Sequence, residues 1–267
     1  DPPMPDGELE LKTFNFLNPD SGRSVFRQSA LDTLFLAGMV ADGMIDVPAS
    51  LAPASVQVQM HEHRMTFMGH SQGGISGVLV GAVEPSLKAY VLSGGGGGLS
   101  LTIMLRKDQG DISGIVTGIL SLDEFELSEF HPAISLVQML VDTTDPLAYG
   151  GRFFRRDAGT RPPHVLMTEG LHDEQTPSAT AETLAASMRL GVVEPAAHYS
   201  DGMALLELPV WKTPVHNNRS DGDQTWTAVL AQYPNNDHFA VFQNESAARR
   251  YADFLEGVVS TGEGIVH

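Results

Sequence analysis

The chain has 267 residues, a length that fits one large α/β domain or two small ones, and with 42% hydrophobic and 18% charged residues its composition is that of an ordinary globular protein. With 33 acidic and 16 basic residues its formal net charge is −17, a surface that repels phosphate backbones, so we expect no nucleic-acid partner. The absence of cysteine excludes disulfides, thiolate metal sites and a cysteine nucleophile, and no apolar run is long enough to predict a transmembrane segment.

The first part of the chain predicts alternating strands and helices. Residues 9–17 alternate like a strand, and apolar positions within 24–40 recur at helical spacing. A short buried strand is predicted at 64–68, a helix at 72–83 and a second buried strand at 88–92.

Residues 99–160 differ in character, because three apolar stretches are separated by polar turns and no clear strand is present. We expect a helical insertion here within a single domain that spans 1–267. The elements predicted after it are a strand at 164–170, a helix at 178–191 with a Ser178 cap and a glycine stop, a last strand at 225–233 and a last helix at 245–259. Strands that alternate with helices predict a mostly parallel sheet with helices on both faces.

The segment Gly69-His70-Ser71-Gln72-Gly73 fits the pattern G-x-S-x-G between a predicted strand and a predicted helix. In such an elbow the serine takes a strained backbone conformation that pushes its Oγ clear of the sheet. We expect a side chain at Gly69 or Gly73 to collide with the flanking turns. The helix that begins at Gln72 directs its free amides at the site, where they can stabilise an oxyanion. The alternative is a glycine-rich turn with a buried or idle serine.

A serine hydroxyl is a weak nucleophile, so it needs a base, and the base needs an orienting carboxylate. Elbow enzymes have the chain order serine, acid, histidine. His238 stands out as the base, because it lies in the loop after the last predicted strand, where ligands bind at the carboxyl edge of a doubly wound sheet. The alternative for His238 is a surface histidine. The other downstream histidines are His131, His164, His172, His198, His216 and His267.

Asp173 is the favoured acid, because it lies three residues past the glycine that ends the strand at 164–170. Glu169, still inside the strand end, and Glu174 are its rivals. Other carboxylates have weaker positions, in the helical insertion or beside His238 in a solvated loop: Asp142, Asp145 and Asp237.

The motifs GHSQGG, VLMTEGLHDEQTP and NNDHF, in this order, resemble the α/β-hydrolase family over about residues 60–258. Within that family the pattern is most similar to bacterial-type serine lipases and carboxylesterases with a GHSQG elbow. The resemblance implies Ser71 as nucleophile, Asp173 as acid, His238 as base and the Gln72 backbone amide as one oxyanion-hole donor.

The resemblance also implies acyl transfer from a small-molecule or lipid ester to water, with no metal or organic cofactor. The helical segment 99–160 lies where this family carries its lid, although plain helical packing explains any single residue there equally well. A secreted or cell-envelope location follows from the resemblance alone. A peptidase or acyltransferase on the same triad, and a non-catalytic binding protein on a hydrolase scaffold, remain as alternatives.

The chain departs from the family before the elbow. The family has several strands ahead of the nucleophile strand, and an early loop supplies the second oxyanion amide. Here one convincing strand, 9–17, precedes Arg64, and no such loop is present. We therefore expect the early strands to be missing, supplied by a partner chain or rearranged, and we expect a longer upstream segment in the parent protein. A start codon directly before Asp1 would contradict that expectation.

Two other patterns suggest different chemistry. The HEH triplet at 61–63, with His70, could hold a metal, but no further ligand stands at a recognisable spacing, so we predict no metal. The run Gly94–Gly98 lacks the Gly-Lys-Ser/Thr ending of a phosphate loop, and we predict that it forms a flexible wall of the active-site cleft.

Overall fold

The computed structural model describes residues 18–52, 55–108, 112–122, 127–157 and 159–267, so the strand predicted at 9–17 lies outside it. The strands are β1 (Asp46–Val47), β2 (Val58–Gln59), β3 (Phe67–His70), β4 (Ala89–Ser93), β5 (His164–Gly170), β6 (Gly191–Val193), β7 (Val210–Trp211), β8 (Arg219–Asp221), β9 (Gln224–Trp226) and β10 (Ala228–Tyr233). The helices are α1 (Pro19–Ala41), α2 (Gln72–Gly81), α3 (Leu99–Leu105), α4 (Ile112–Leu120), α5 (Pro132–Val141), α6 (Leu147–Gly150), α7 (Ser178–Ser187), α8 (Asp201–Leu205), α9 (Ala240–Gln243) and α10 (Glu245–Thr261).

Six strands form one sheet in the order β3-β4-β5-β10-β6-β7, and every pair in it is parallel. The predicted parallel sheet is therefore confirmed. All six carboxyl ends lie at the same edge of the sheet, which is where the loops that follow β3, β5 and β10 converge. The pairs β1–β2 and β8–β9 form separate two-stranded antiparallel sheets.

Both faces of the sheet are buried under helices. On β4, Tyr90 and Leu92 belong to one apolar cluster, which includes residues of α2 and α7. Ala89 and Val91 belong to a second cluster, which includes Phe254 of α10. Successive side chains of a strand point to opposite faces, so a strand covered on both sides needs a continuous apolar run, as in the sequence AYVLS.

Four helices, α3 to α6, lie between β4 and β5 in the described part of segment 99–160. Helix α3 packs against α4 and α5, and α5 also contacts α1. None of the helices that the structure describes is both long and apolar enough to cross a lipid bilayer.

Several predicted boundaries were wrong. The strand predicted at 64–68 is β3, and Arg64 instead ends a 3₁₀ turn at Glu62–Arg64. Helix α7 is preceded by Pro177 rather than capped by Ser178, and it ends before Gly191, which starts β6. The strand predicted at 225–233 is split between β9 and β10. Strands β6 and β7 were not predicted, because three or two residues are too short to show a period.

Candidate active site

Ser71 occupies a strained turn between β3 and α2. Its backbone has φ 56° and ψ −120°, a region that a residue with a side chain rarely adopts. The Ser71 amide donates to the carbonyl oxygen of Ser93 at 2.8 Å, and the Ser71 carbonyl accepts from the amide of Ile75 at 3.1 Å. The turn is thereby tied both to the end of β4 and to the first turn of α2.

The two glycines of the elbow have different surroundings. A Cβ at Gly69 would overlap the backbone carbonyl of Gly73, so the predicted crowding is confirmed there. A Cβ at Gly73 would meet nothing within 4 Å, so the same prediction was wrong for Gly73. The second glycine of the elbow that has no room for a side chain is instead Gly74, where a Cβ would lie 2.9 Å from the carbonyl oxygen of Ser93. The second glycine of the sequence QGG was the signal for it.

Gln72 is the first residue of α2, and Ser71 is its N-cap. The first amides of a helix have no carbonyl partner within the helix and carry partial positive charge. The backbone amide of Gln72 therefore follows Ser71 directly at a position suited to an oxyanion.

His238 and Asp173 form a buried pair. The Nδ1 of His238 lies 2.7 Å from Oδ2 of Asp173, and the two side chains are 3% and 1% exposed. The other carboxylate oxygen of Asp173 accepts from the backbone amides of Gln175 at 2.8 Å and Thr176 at 2.7 Å. With Nδ1–H donated to Asp173, the Nε2 of His238 is left as the basic nitrogen.

The sheet order brings this pair together across 65 residues of chain. Strands β5 and β10 are neighbours, with Gly170 in register with Tyr233, and each is followed directly by the loop that carries Asp173 or His238. A Cβ at Gly170 would overlap the backbone carbonyl of Asp237. Glycine at this strand end therefore lets the His238 loop cross over the start of the Asp173 loop.

Ser71 and His238 lie at the same edge of the sheet. A Cβ at Gly94 would lie 3.2 Å from both Nδ1 and Cε1 of His238, and the preceding residue, Ser93, binds the Ser71 amide. The Ser71 hydroxyl forms no hydrogen bond with any described residue, so the serine–histidine bond is not made in this structure. Catalytic hydrogen bonds of unliganded sites are often long and tighten only with substrate.

The other candidate carboxylates either accept hydrogen bonds from groups other than His238 or are exposed. Glu169 accepts from the Gln232 side-chain amide at 2.8 Å, and burial raises the pKa of Glu169 to about 8, with the nearby charges of Glu182 and Asp173 adding to the shift. Asp145 accepts from the amides that begin α3, and Asp142 from Gln138. Glu174 and Asp237 are exposed.

Among the described residues, none of the other downstream histidines forms a hydrogen bond with the Asp173 carboxylate. His131 accepts from the amide of Ala133 at the start of α5, and His198 pairs with Glu182. His164 begins β5 at the opposite edge of the sheet. The remaining candidates are exposed: His172, His216 and His267.

His70 is a site residue that the sequence did not identify. Its ring centroid lies 4.6 Å from that of His238, and its Nδ1 lies 3.0 Å from the hydroxyl of Ser93. Burial, together with the neighbouring His238, lowers the pKa of His70 to about 4, so this ring is neutral at neutral pH. The sequence signal was its place within the elbow motif, which carries no information on side-chain packing.

The glycine run Gly94–Gly98 is packed, so the prediction that it is flexible was wrong. All five glycines are buried. A Cβ at Gly96 would overlap the Thr180 hydroxyl, and one at Gly97 would overlap the Leu147 side chain. Glycine is required here because the chain passes closely between α6 and α7.

The HEH triplet lies in the 3₁₀ turn at Glu62–Arg64 and the residue before it. Within the described ranges, no group of three or more histidine or carboxylate side chains is arranged to hold a metal ion.

A parallel sheet covered on both faces, a serine in a strained strand-to-helix turn and a histidine–carboxylate pair at the same edge define an α/β-hydrolase-like fold. No family model and no curated protein matches the sequence. The structure is similar to acetyl xylan esterase 1 from Thermoanaerobacterium sp. JW/SL YS485, with a TM-score of 0.50 and 17% identity over 89% of this chain. The chain spans only 56% of that esterase.

Two further solved structures are more distant. The 2,6-dihydroxy-pseudo-oxynicotine hydrolase has a TM-score of 0.45 and 15% identity, covering 86% of this chain and 47% of its own. The acylaminoacyl peptidase of Pyrococcus horikoshii has a TM-score of 0.40 and 13% identity, covering 75% of this chain and 24% of its own. At these identities the likeness to the esterase establishes the fold and nothing further.

Proposed function

We propose that the protein is a serine hydrolase that cleaves carboxylic esters, of lipase or carboxylesterase type, through Ser71, His238 and Asp173. The observation that carries the proposal is the buried 2.7 Å bond between His238 and Asp173 at the sheet edge where the Ser71 turn lies. A histidine oriented in this way by a carboxylate is the base that a serine nucleophile requires.

The mechanism begins when Nε2 of His238 takes the hydroxyl proton of Ser71 as Oγ attacks the ester carbonyl carbon. The oxyanion of the tetrahedral intermediate accepts a hydrogen bond from the Gln72 amide, a type of contact worth about 10²–10³ in kcat. The alcohol leaves with the proton from His238, and a water molecule repeats the sequence on the acyl-enzyme. Asp173 holds the imidazole tautomer and stabilises the imidazolium. These steps need no metal or organic cofactor.

Apolar helices that follow the glycine run along the chain support an ester with an acyl chain as substrate. Segment 99–160 follows the glycine run, where a Cβ at Gly94 would lie 3.2 Å from His238, and on α5 the side chains of Leu136 and Met139 are 65% and 69% exposed. We propose that this segment acts as a lid over an apolar acyl group. A peptidase or acyltransferase would use the same triad, so only a comparison of substrates distinguishes these enzymes from an esterase.

A non-catalytic binding protein is the second candidate, because a second oxyanion-hole donor is not identified. Among the described strands, β3 pairs with β4 alone and is the outermost strand on its side of the sheet. We propose that an upstream segment or a partner chain completes the sheet on that side, because β3 has a neighbour on one side only among the described strands.

Hydrolysis of p-nitrophenyl esters of increasing acyl length tests the proposed function, with Ser71→Ala beside the parent. We expect turnover by the parent and by the control Ser260→Ala, which alters an exposed serine on α10, and none above background by Ser71→Ala. Labelling by a fluorophosphonate probe should follow the same pattern. A folded parent that neither hydrolyses esters nor labels would favour the binding protein, and cleavage confined to peptides would favour the peptidase.

A further inference from the structure

A cleft lies at the amino ends of the strands, opposite the carboxyl ends where Ser71 lies. It has a volume of about 420 Å³ and opens beside the amino ends of β4 and β5, between Lys88 and His164. We call it the amino-end cleft, and its cationic lining residues are Lys88 and Arg161. His63 and His164 also line it. None of the residues that line it is a carboxylate.

Arg161 has no acceptor among its described neighbours. Its guanidinium touches Nε2 of His164, but Nδ1 of His164 accepts from the amide of Thr227 at 3.0 Å. The proton of the neutral ring is therefore on Nε2, where the carbonyl oxygen of Gly262 accepts it at 3.2 Å. His164 thus cannot accept from Arg161, and the buried Nε of Arg161 is also without a partner.

The cleft is cationic in a strongly anionic protein. Within the part of the chain that the structure describes, neither Lys88 nor Arg161 lies within 4.0 Å of a carboxylate. The nearby Glu263 instead accepts from the side-chain amide of Asn217 at 2.8 Å. Most lysine and arginine side chains of the described residues also lack a carboxylate within that distance, but Arg161 is partly buried and its buried Nε has no partner. A guanidinium without an acceptor, in a cleft that no carboxylate lines, favours an anionic ligand.

We propose that the amino-end cleft binds a small oxyanion, a phosphate or carboxylate group, held by Arg161 and Lys88. The planar guanidinium fork can donate two parallel hydrogen bonds to one oxyanion, and the lysine ammonium adds a point charge. Pro162, Pro163 and Val258 form an apolar wall of the cleft, which leaves room for a small organic group attached to the anion.

Calorimetric titration of the full chain with inorganic phosphate, and separately with citrate, tests this site. Both are titrated at constant ionic strength, because added salt alone screens the repulsion within a −17 chain. We expect saturable binding to the parent by at least one of the two anions. Binding of phosphate alone identifies a phosphate site, and binding of citrate alone identifies a carboxylate site.

Arg161→Gln and Lys88→Gln should each weaken that binding about tenfold or more, because each removes a charge-assisted hydrogen bond. Arg152→Gln removes the same charge from an exposed arginine outside the cleft and should bind like the parent. Equal affinity in all four proteins, or no binding of either anion to the parent, would overturn the proposal. Lys88 is exposed, so Lys88→Gln tests the site even if Arg161→Gln does not fold. Neither result depends on ester hydrolysis.

Discussion

Asp173 uses its two carboxylate oxygens for different partners. One oxygen accepts from two backbone amides and fixes the loop after β5, while the other orients His238. An asparagine at this position can keep the first function and lose the second. One substitution can therefore separate the structural role of Asp173 in its loop from its role in orienting His238.

Asp173→Asn should lower kcat for ester hydrolysis by about 10⁴-fold with little change in the melting temperature. The amide NH₂ would face Nδ1 of His238, which would then accept a hydrogen bond, so the ring proton would move to Nε2 and Nε2 could no longer act as the base. The measurement is steady-state kinetics beside thermal unfolding. Asp237→Asn, at the exposed neighbour of His238, is the control and should keep parental activity. A fully active Asp173→Asn would contradict the proposed roles.

Ser71, Asp173 and His238 could be selected from the sequence because each lies in a turn that follows an apolar strand. Parallel strands deliver such turns to one edge, so the pattern of strands is enough to bring them near each other. The burial of His70 could not be selected in this way, because it depends on Phe239 and Phe242 folding over its ring. A contact between distant loops leaves no period in the sequence.

The strands of the sheet also divide into those that the sequence predicts and those that it does not. Strands β4 and β5 are long enough and apolar enough to be recognised, and they pair directly in the sheet. By contrast β6 to β9 lie between β5 and β10 along the chain, yet β5 and β10 are direct neighbours in the sheet. Chain order alone does not determine sheet order, because the short outer strands β6 and β7 pair on the far side of β10.

The strand-to-helix elbow predicts opposite effects for its two glycines. Gly69→Ala should lower the free energy of unfolding by about 1–3 kcal/mol and reduce activity, because the new Cβ overlaps the Gly73 carbonyl and the turn must shift. Gly73→Ala adds its Cβ in open space on the first turn of α2 and should keep or raise stability, by up to about 1 kcal/mol. Denaturant unfolding of both variants measures the difference, and equal losses would mean that the elbow differs from the one described.

At the scale of the whole molecule, most acidic side chains of the described residues are at least partly exposed, but a few carboxylates are buried in the core. Glu169 on β5 and Glu182 on α7 are both buried, and the side-chain amide of Gln232 on β10 bridges them at 2.8 and 3.3 Å. His198 also contacts Glu182, at 2.5 Å. This network joins β5, which precedes the Asp173 loop, to its neighbour β10 and to the covering helix α7.

The buried proton on Glu169 should make the stability of the protein fall as the pH rises. Burial raises the pKa of Glu169 from 4.5 to about 8, so between these values the folded state holds a proton that the unfolded state releases. The stabilisation from this group is complete below the unfolded pKa and is lost as the pH approaches the folded pKa. For one proton, the slope is at most about 1.4 kcal/mol per pH unit.

Glu169→Gln should remove that slope, because glutamine keeps the shape and an acceptor for Gln232 but does not titrate. The free energy of unfolding, measured by denaturant titration at several values between the two pKa values, should fall less steeply in Glu169→Gln than in the parent. Glu174→Gln removes an exposed carboxylate nearby and should follow the parent. Repulsion among surface carboxylates contributes to all three proteins almost equally, so the difference between the slopes isolates the buried group. Parallel curves for the parent and Glu169→Gln would mean that Glu169 is already ionised in the folded protein.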